Sequence, residues 1–340
     1  MVTIKDISQK CGVSTSTVSK VLNGYEEIGK ETAELVRRTA SEMGYFPNSA
    51  ARQLKTNRSH NLGVLFVDKM QSGLAHEYFS GVLNSFKVEA ERLGYDITFI
   101  SENIGQSHMT FSEHCRYRHC DGVVIACVDF TAPDIQELIN SNIPVVTIDH
   151  VYDNRTAILS DNIQGMHDLI HYIYSMGHRR IGYIYGDPNT SVTQKRMASF
   201  YRCCEELGLE TPEEYVRPAL YHNPNLSAVA TREMLSLPKP PTCIMYPDDF
   251  SFVGGMNQIE RMGLSIPDDV SVVGYDGIYL SQVLRPKLTT MRQDTENLGR
   301  EAAVQLVEAV EKSKRYVTQQ ILIKGELLEG ESVARIDPEQ

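Results

Sequence analysis

Carboxylates stand at the ends of several short apolar runs. Asp68 follows "LGVLFV", Asp149 follows "IPVVTI", Asp248 and Asp249 follow "TCIMYP", and Asp276 follows "VSVVGY". Tyr78 and Phe79 open a helical pattern after the first run, and Arg196 lies near the start of another. Carboxylates accept hydrogen bonds from hydroxyls, a guanidinium donates in a fixed fork, and aromatic rings cover an apolar face. Together these groups suit a small polyhydroxylated ligand such as a sugar. Singly, an Asp at a strand end more often reads as a turn or a helix cap.

A second set of groups sits near the N-terminus, in "CGVSTSTVSKVLNGYEEIGKET" (11–32). Five hydroxyl residues and one lysine fill Ser14–Lys20, although hydroxyls are indifferent helix formers. On a wheel of about 100° per residue, Thr17, Val18, Val21 and Leu22 share one arc. Thr15, Ser16, Ser19, Lys20 and Asn23 share the other. That outer strip carries no carboxylate and is led by small side chains, which suits close approach to base edges and phosphates. A solvated helix face is the bland alternative for this stretch alone.

Other spacings carry less. His167 and His171 in "HDLIH" are i, i+4, but Asp168 stands where the metalloprotease motif needs Glu, and no third ligand is evident. "HCRYRHC" (114–120) puts Cys115 and His119 on one face and reads as an ordinary helix before a buried strand. Adjacent Asp248 and Asp249 make a poor glycosidase pair, because neighbouring side chains seldom converge on one bond. No G-x-G-x-x-G, Walker or G-x-S-x-G motif appears. No catalytic residue, metal or cofactor is expected.

The elements that must position these groups follow from periodicity. Thr3 and Asp6 form a capping-box start, with Ile4, Ile7 and Cys11 on one face. Cys11-Gly12-Val13 turns the chain, and Ser14 caps the second helix. A third helix spans roughly Lys30–Met43, with Ala33, Val36, Ala40 and Met43 inward and Gly44 as its stop. Two short helices around a Gly turn make a helix-turn-helix, whose second helix enters the major groove. Next, Asn48 can cap a short helix over Ser49–Lys55, too short to be stable alone in water.

From Leu62 apolar strands alternate with helices. One series runs from "LGVLFVD" to "IPVVTID", and a second from Gly165 to "VSVVGYD". Alternation of this kind means parallel sheets covered by helices. The expected fold is a small all-α helix-turn-helix head plus an α/β body of two doubly wound parallel-sheet lobes. The domains are residues 1–46 for the head, 47–61 for a hinge helix and linker, and 62–335 for an effector-binding and dimerisation body. Lobe one takes about 62–160 plus 290–325, and lobe two about 161–289 plus 326–335. Ligands of such sheets sit beyond the carboxyl ends of the strands.

Charge supports the division. Net charge is −11, yet residues 1–60 hold nine Lys/Arg against six Asp/Glu, or +3, leaving 24 against 38, or −14, for the rest. A basic head on an acidic body suggests a polyanion partner for the head. Seven cysteines at irregular spacing make no disulfide framework. No membrane span or export signal is visible, so the expected location is cytoplasmic.

"VTIKDISQKCGVSTSTVSKVLNG", "ETAELVRRTASEMGYFPNSAARQLKTNRSHNLGV", "GHRRIGYI", "VSVVGYDG" and "LTTMRQD" resemble the LacI/GalR (lac repressor/gal repressor) family from residue 2 to about 335. The resemblance implies a periplasmic-binding-protein-like body. It implies base reading by Thr15, Ser16 and Lys20, and phosphate contact by Thr3, Ser14, Thr17, Asn23 and Thr32. It also implies a hinge helix that wedges Leu54 into the minor groove. Arg196 and Asp276 match family effector positions, Asp248 a polar cleft position, and Tyr78-Phe79 a pair used by purine-binding relatives. The expected function is a transcriptional regulator, most naturally a repressor, switched by a small effector, and a homodimer on a pseudo-palindromic operator. "ESVARIDPEQ" carries no leucine heptad tail, which favours dimer over tetramer. The alternatives are a co-repressor-type regulator binding a purine or nucleoside, a sugar-transport receptor, and a sugar-processing enzyme with a DNA-binding head.

Overall fold

The computed structural model describes residues 2–22, 24, 25, 27–45, 58–67 and 73–337. Asn23, Asn48, Leu54 and Asp68, with the expected hinge helix, lie outside the described residues. The chain divides into two compact units, Met1–His60 and Asn61–Gln340.

In the first unit α1 (Ile4–Cys11), α2 (Thr15–Leu22) and α3 (Lys30–Glu42) surround a small core of Ile7, Val18, Val21, Ala33, Val36 and Ala40. Thr3 and Asp6 form the expected capping box. Gly12 follows at φ 66°, a left-handed position that glycine adopts without strain. The Ser14 hydroxyl accepts the Thr17 amide at 3.0 Å and so caps α2.

The second unit continues with β1 (Asn61–Phe66), α4 (Glu77–Arg92), β2 (Asp96–Phe99), a small hairpin of β3 (Asn103–Ile104) and β4 (Ser107–His108), α5 (Phe111–Tyr117) and β5 (Gly122–Ala126). Then come α6 (Pro133–Asn140), β6 (Val145–Ile148), β7 (Thr156–Ser160), α7 (Asn162–Ser175), β8 (Ile181–Tyr185), α8 (Ser191–Glu206), β9 (Val216–Pro218), α9 (Pro224–Leu235) and β10 (Cys243–Met245). The last elements are α10 (Asp249–Arg261), β11 (Ser271–Asp276), α11 (Tyr279–Val283), β12 (Thr289–Arg292), α12 (Thr295–Glu311), β13 (Gln320–Ile323) and β14 (Glu326–Leu328).

Two six-stranded sheets result, ordered β13-β7-β6-β5-β1-β2 and β14-β12-β11-β10-β8-β9. Every pairing within them is parallel except β12 with β14. Strands β5, β6 and β7 are buried along their whole length, as a sheet covered on both faces requires. Because β12 pairs with β11, the second lobe extends through Arg292 rather than ending at 289. The chain then returns to the first lobe with α12, which packs on α4 and over β5, β6 and β7.

Candidate functional sites in the cleft and on the head

A cavity of about 400 Å³ lies between the two lobes, at the carboxyl ends of their strands. Tyr78, Phe79, Asp149, Arg196, Asp248 and Asp276 all line it. The first lobe contributes an acidic wall. Asp149 follows β6 with its backbone at φ 57°. Its carboxylate accepts the Tyr78 hydroxyl at 2.9 Å and the Ser160 amide at 2.8 Å. Burial pushes the Asp149 carboxyl up, opposed by those two hydrogen bonds and by Arg196.

The second lobe contributes the cation. Arg196, on α8, is 3% exposed. Its Nε donates to Asn162 Oδ1 at 2.7 Å and its Nη1 to the Pro247 carbonyl at 2.9 Å. Its guanidinium lies 3.5 Å from the Tyr275 ring centroid, a cation–π contact. Burial alone lowers its affinity for the proton, but Tyr221, Tyr275 and Asp276 more than reverse this and keep it charged.

Asp248 and Asp276 differ in their free capacity. Asp248 caps α10, accepting from the Ser251 amide at 2.7 Å, the Ser251 hydroxyl at 2.8 Å and the His222 amide at 2.8 Å. The cap reading therefore holds for Asp248, which also shapes the loop carrying His222. Asp276 ends β11 at φ 100° and accepts the Gln293 amide at 2.7 Å. Burial, and then repulsion from Asp248, raise its carboxyl to about 7. Neighbouring Asp249 is fully buried, bonded to Thr290 and the Ile278 amide, and outside the cavity lining.

Sequence reading missed the ring platforms. Phe130 and His150 stack at 4.1 Å with planes 4° apart. His76 of the first lobe stacks on His222 of the second at 4.4 Å, and His222 stacks on Phe250 at 3.9 Å. Phe130 and His150 stand just beyond strand ends, which is the signal that picked out Asp149. His222 lies in a loop between β9 and α9, where no pattern marks it. His167 and His171 also stack, at 3.9 Å, but no group of three or more metal-ligating residues exists among the described residues.

On the head, Thr15, Ser16 and Lys20 are exposed on α2, while Thr3 and Ser14 are exposed beside it and Thr17 and Thr32 are half-buried. Ser16, Ser14 and Thr17 share a chain of hydroxyl contacts at 2.7 and 2.8 Å. The strip has no carboxylate of its own, but Glu27 reaches across from the following turn. Lys20 Nζ and Glu27 Oε2 stand 2.8 Å apart, and this bond raises the lysine's proton affinity.

Residues 3–48 match the family described as bacterial regulatory proteins, lacI family, and residues 170–333 match a periplasmic binding protein-like domain. The HTH-type transcriptional repressor PurR of Pasteurella multocida is 29% identical over 92% of this chain and 94% of its own length. The HTH-type transcriptional repressor CytR of Escherichia coli is 27% identical over 95% of each chain. The structure of the lac repressor dimer bound to operator and the anti-inducer ONPF shares the fold, with a TM-score of 0.80 at 24% identity over 98% of this chain and 99% of that one. A helix-turn-helix that matches the lacI family of bacterial regulatory proteins, a two-lobed body and full-length relatives that are transcriptional repressors point the same way: this chain joins a LacI-family DNA-binding head to a periplasmic-binding-protein-like body.

Proposed function

We propose that this repressor binds a pseudo-palindromic operator as a homodimer in the cytoplasm, and that a small uncharged polyhydroxylated effector in the cleft switches its operator affinity. The observation that carries the effector class is the polarity of the cavity. Asp149, Asp187, Asp248 and Asp276 face a single lining arginine whose guanidinium is already bonded to Asn162 and Pro247. Carboxylates reward hydroxyl donors and repel phosphates or acids, while Phe130 and the His222 stack cover apolar ring faces. Sugars combine both properties.

A planar heterocycle is the second reading. The near-parallel rings of Phe130 and His150, and the His76–His222–Phe250 stack, are platforms on which a purine or nucleoside base can lie. On the head, Thr15, Ser16 and Lys20 are the proposed base readers. Thr3, Ser14, Thr17, Asn23 and Thr32 are proposed at phosphates, and Asn48 and Leu54 in a hinge that folds on DNA. Two closures of the lobes supply the switch, and an effector acts only through its different affinity for them.

The test is selection of genomic fragments on the purified protein, followed by calorimetry with neutral sugars, sugar phosphates and nucleosides. One enriched pseudo-palindrome whose binding responds to a neutral sugar is the expected outcome. A response to nucleosides alone replaces the effector class, and no enriched fragment in any condition overturns the operator reading.

A further inference from the structure

We propose that Cys115 and Cys120 form an oxidisable dithiol that closes to an intramolecular disulfide and acts on Asn61, the first residue of the body. The end of α5 assembles the pair. His119 takes a left-handed backbone, φ 51°, its amide bonds back to the Arg116 carbonyl at 3.0 Å, and the Cys120 amide bonds to the Cys115 carbonyl at 2.9 Å. These two bonds define a Schellman ending, in which the third residue from the helix end and the second residue beyond the C-cap bring their side chains together. Here both of those residues are cysteines. Both side chains pack into one cluster of the first lobe, near enough for each thiol to shift the other's proton affinity. The helical-face reading of "HCRYRHC", which pairs Cys115 with His119, misses this because the helix ends after Tyr117.

The two sulfurs have different roles. Cys115 is fully buried, whereas Cys120 is partly exposed. The Cys115 thiol favours the Cys120 thiolate against burial and Asp121, with a smaller contribution from Arg118, while the neighbouring Cys120 sulfur and burial keep Cys115 protonated. Asn61 Nδ2 adds a contact to Cys120 Sγ at 3.6 Å. Cys120 is thus the attacking sulfur and Cys115 the resolving one. With a peroxide as oxidant, the Cys120 thiolate attacks one oxygen, the O–O bond breaks, and the departing hydroxide takes a proton and leaves as water. The Cys115 sulfur then attacks the sulfenic sulfur of Cys120. The S–O bond breaks, and the sulfenic hydroxyl leaves as a second water with the Cys115 proton. Two thiols have given two electrons to the peroxide, and one S–S bond has formed.

The consequence falls on the start of β1. Asn61 also donates Nδ2 to the Arg118 carbonyl at 3.1 Å, accepts the Thr98 hydroxyl at 2.9 Å, and accepts the Asp121 amide on its carbonyl at 2.8 Å. A disulfide fixes the sulfurs about 2.05 Å apart, which turns Cys120 Sγ toward Cys115 and away from the Asn61 amide. Asn61 directly follows His60, where the first unit ends.

The test treats the reduced full-length protein with hydrogen peroxide, counts thiols, maps disulfides by peptide mass and follows amide exchange at Asp121. Expected are loss of two of the seven thiols, a Cys115–Cys120 linked peptide reversed by dithiothreitol, and altered protection of the Asp121 amide. Cys115→Ser should stop at a sulfenic acid on Cys120 that dimedone traps, and Cys120→Ser should keep Cys115 reduced. Oxidation at Cys11 or Cys127 with the pair still reduced, or linkage between chains, overturns the dithiol. A mapped disulfide with unchanged exchange at Asp121 overturns its action on Asn61. None of these readouts requires a known operator or effector.

Discussion

Lys20 leads the reading strip of α2, yet its ammonium is bound to Glu27. Both groups are exposed, so the pair is a weak one that competes with a phosphate or a guanine for the lysine. Glu27→Gln should therefore tighten operator binding a few-fold at low salt. Lys20→Ala should weaken it and, if the contact is to phosphate, reduce the salt slope by about 1. Fluorescence anisotropy against salt checks both, and equal slopes for wild type and Lys20→Ala would remove the lysine from the phosphate set. In the cleft the corresponding group is Asp276, whose carboxyl is raised to about 7. An effector hydroxyl donates to the ionised form, and the ionised fraction falls about tenfold per pH unit below that value. Effector affinity should then climb from about pH 5 and level off near pH 8, while Asp276→Asn should be weak and flat across the range. A flat wild-type profile in calorimetry would exclude Asp276 as an acceptor. The acidic lining was legible because strand ends in such sheets face the ligand crevice. The ring stacks were not, since the His76–His222 contact joins residues far apart in sequence and needs both lobes in place.

The start of α1 was the most legible element, because capping chemistry is local: Thr3–Asp6 closes as a reciprocal box. The strand β7, "TAILS", escaped the pattern. Parallel strands normally require a crossover of a dozen or more residues, but β7 follows β6 after the short loop Asp149–Arg155. The paired stretch is short, from Val146 facing Thr156 to Ile148 facing Ile158, so a short loop suffices to carry the chain back. That register is invisible until the partners are known. Close crossings are equally silent in one sequence. On α12, a Cβ at Gly299 would stand 2.2 Å from the Val82 carbonyl and 2.6 Å from the Phe86 amide of α4. These are backbone atoms and cannot swing aside. Gly299→Ala should force α12 away from α4 and cost about 1–3 kcal/mol, read as a lower urea midpoint at unchanged slope. A wild-type midpoint would show that the helices separate freely.

At the scale of the whole molecule, the proposed switch depends on what ties the lobes in one closure. Among the described residues, the contacts that cross between them include the His76–His222 stack, Ser191 Oγ donating to the Asp149 carbonyl at 2.9 Å, and the Tyr279 amide donating to Glu77 Oε1. The first two border the effector cavity, so substitutions there mix lost ligand contact with lost closure. Glu77 lies outside the lining of that cavity. A single exposed hydrogen bond of this kind contributes about 1 kcal/mol, which corresponds to roughly a fivefold change in the balance of closures. Glu77→Ala should weaken binding of any effector that prefers this closure by at most that factor. On the proposed two-closure switch, operator affinity should move as well. Linkage fixes the relation between the two shifts: the factor by which effector changes operator affinity must equal the factor by which operator changes effector affinity, in wild type and in the variant alike. Effector titrations with and without operator measure one side, and operator titrations with and without effector measure the other. Unaltered effector affinity in Glu77→Ala would mean that this tie is present in both closures, leaving the stack and the Ser191 bond as the contacts that tell them apart.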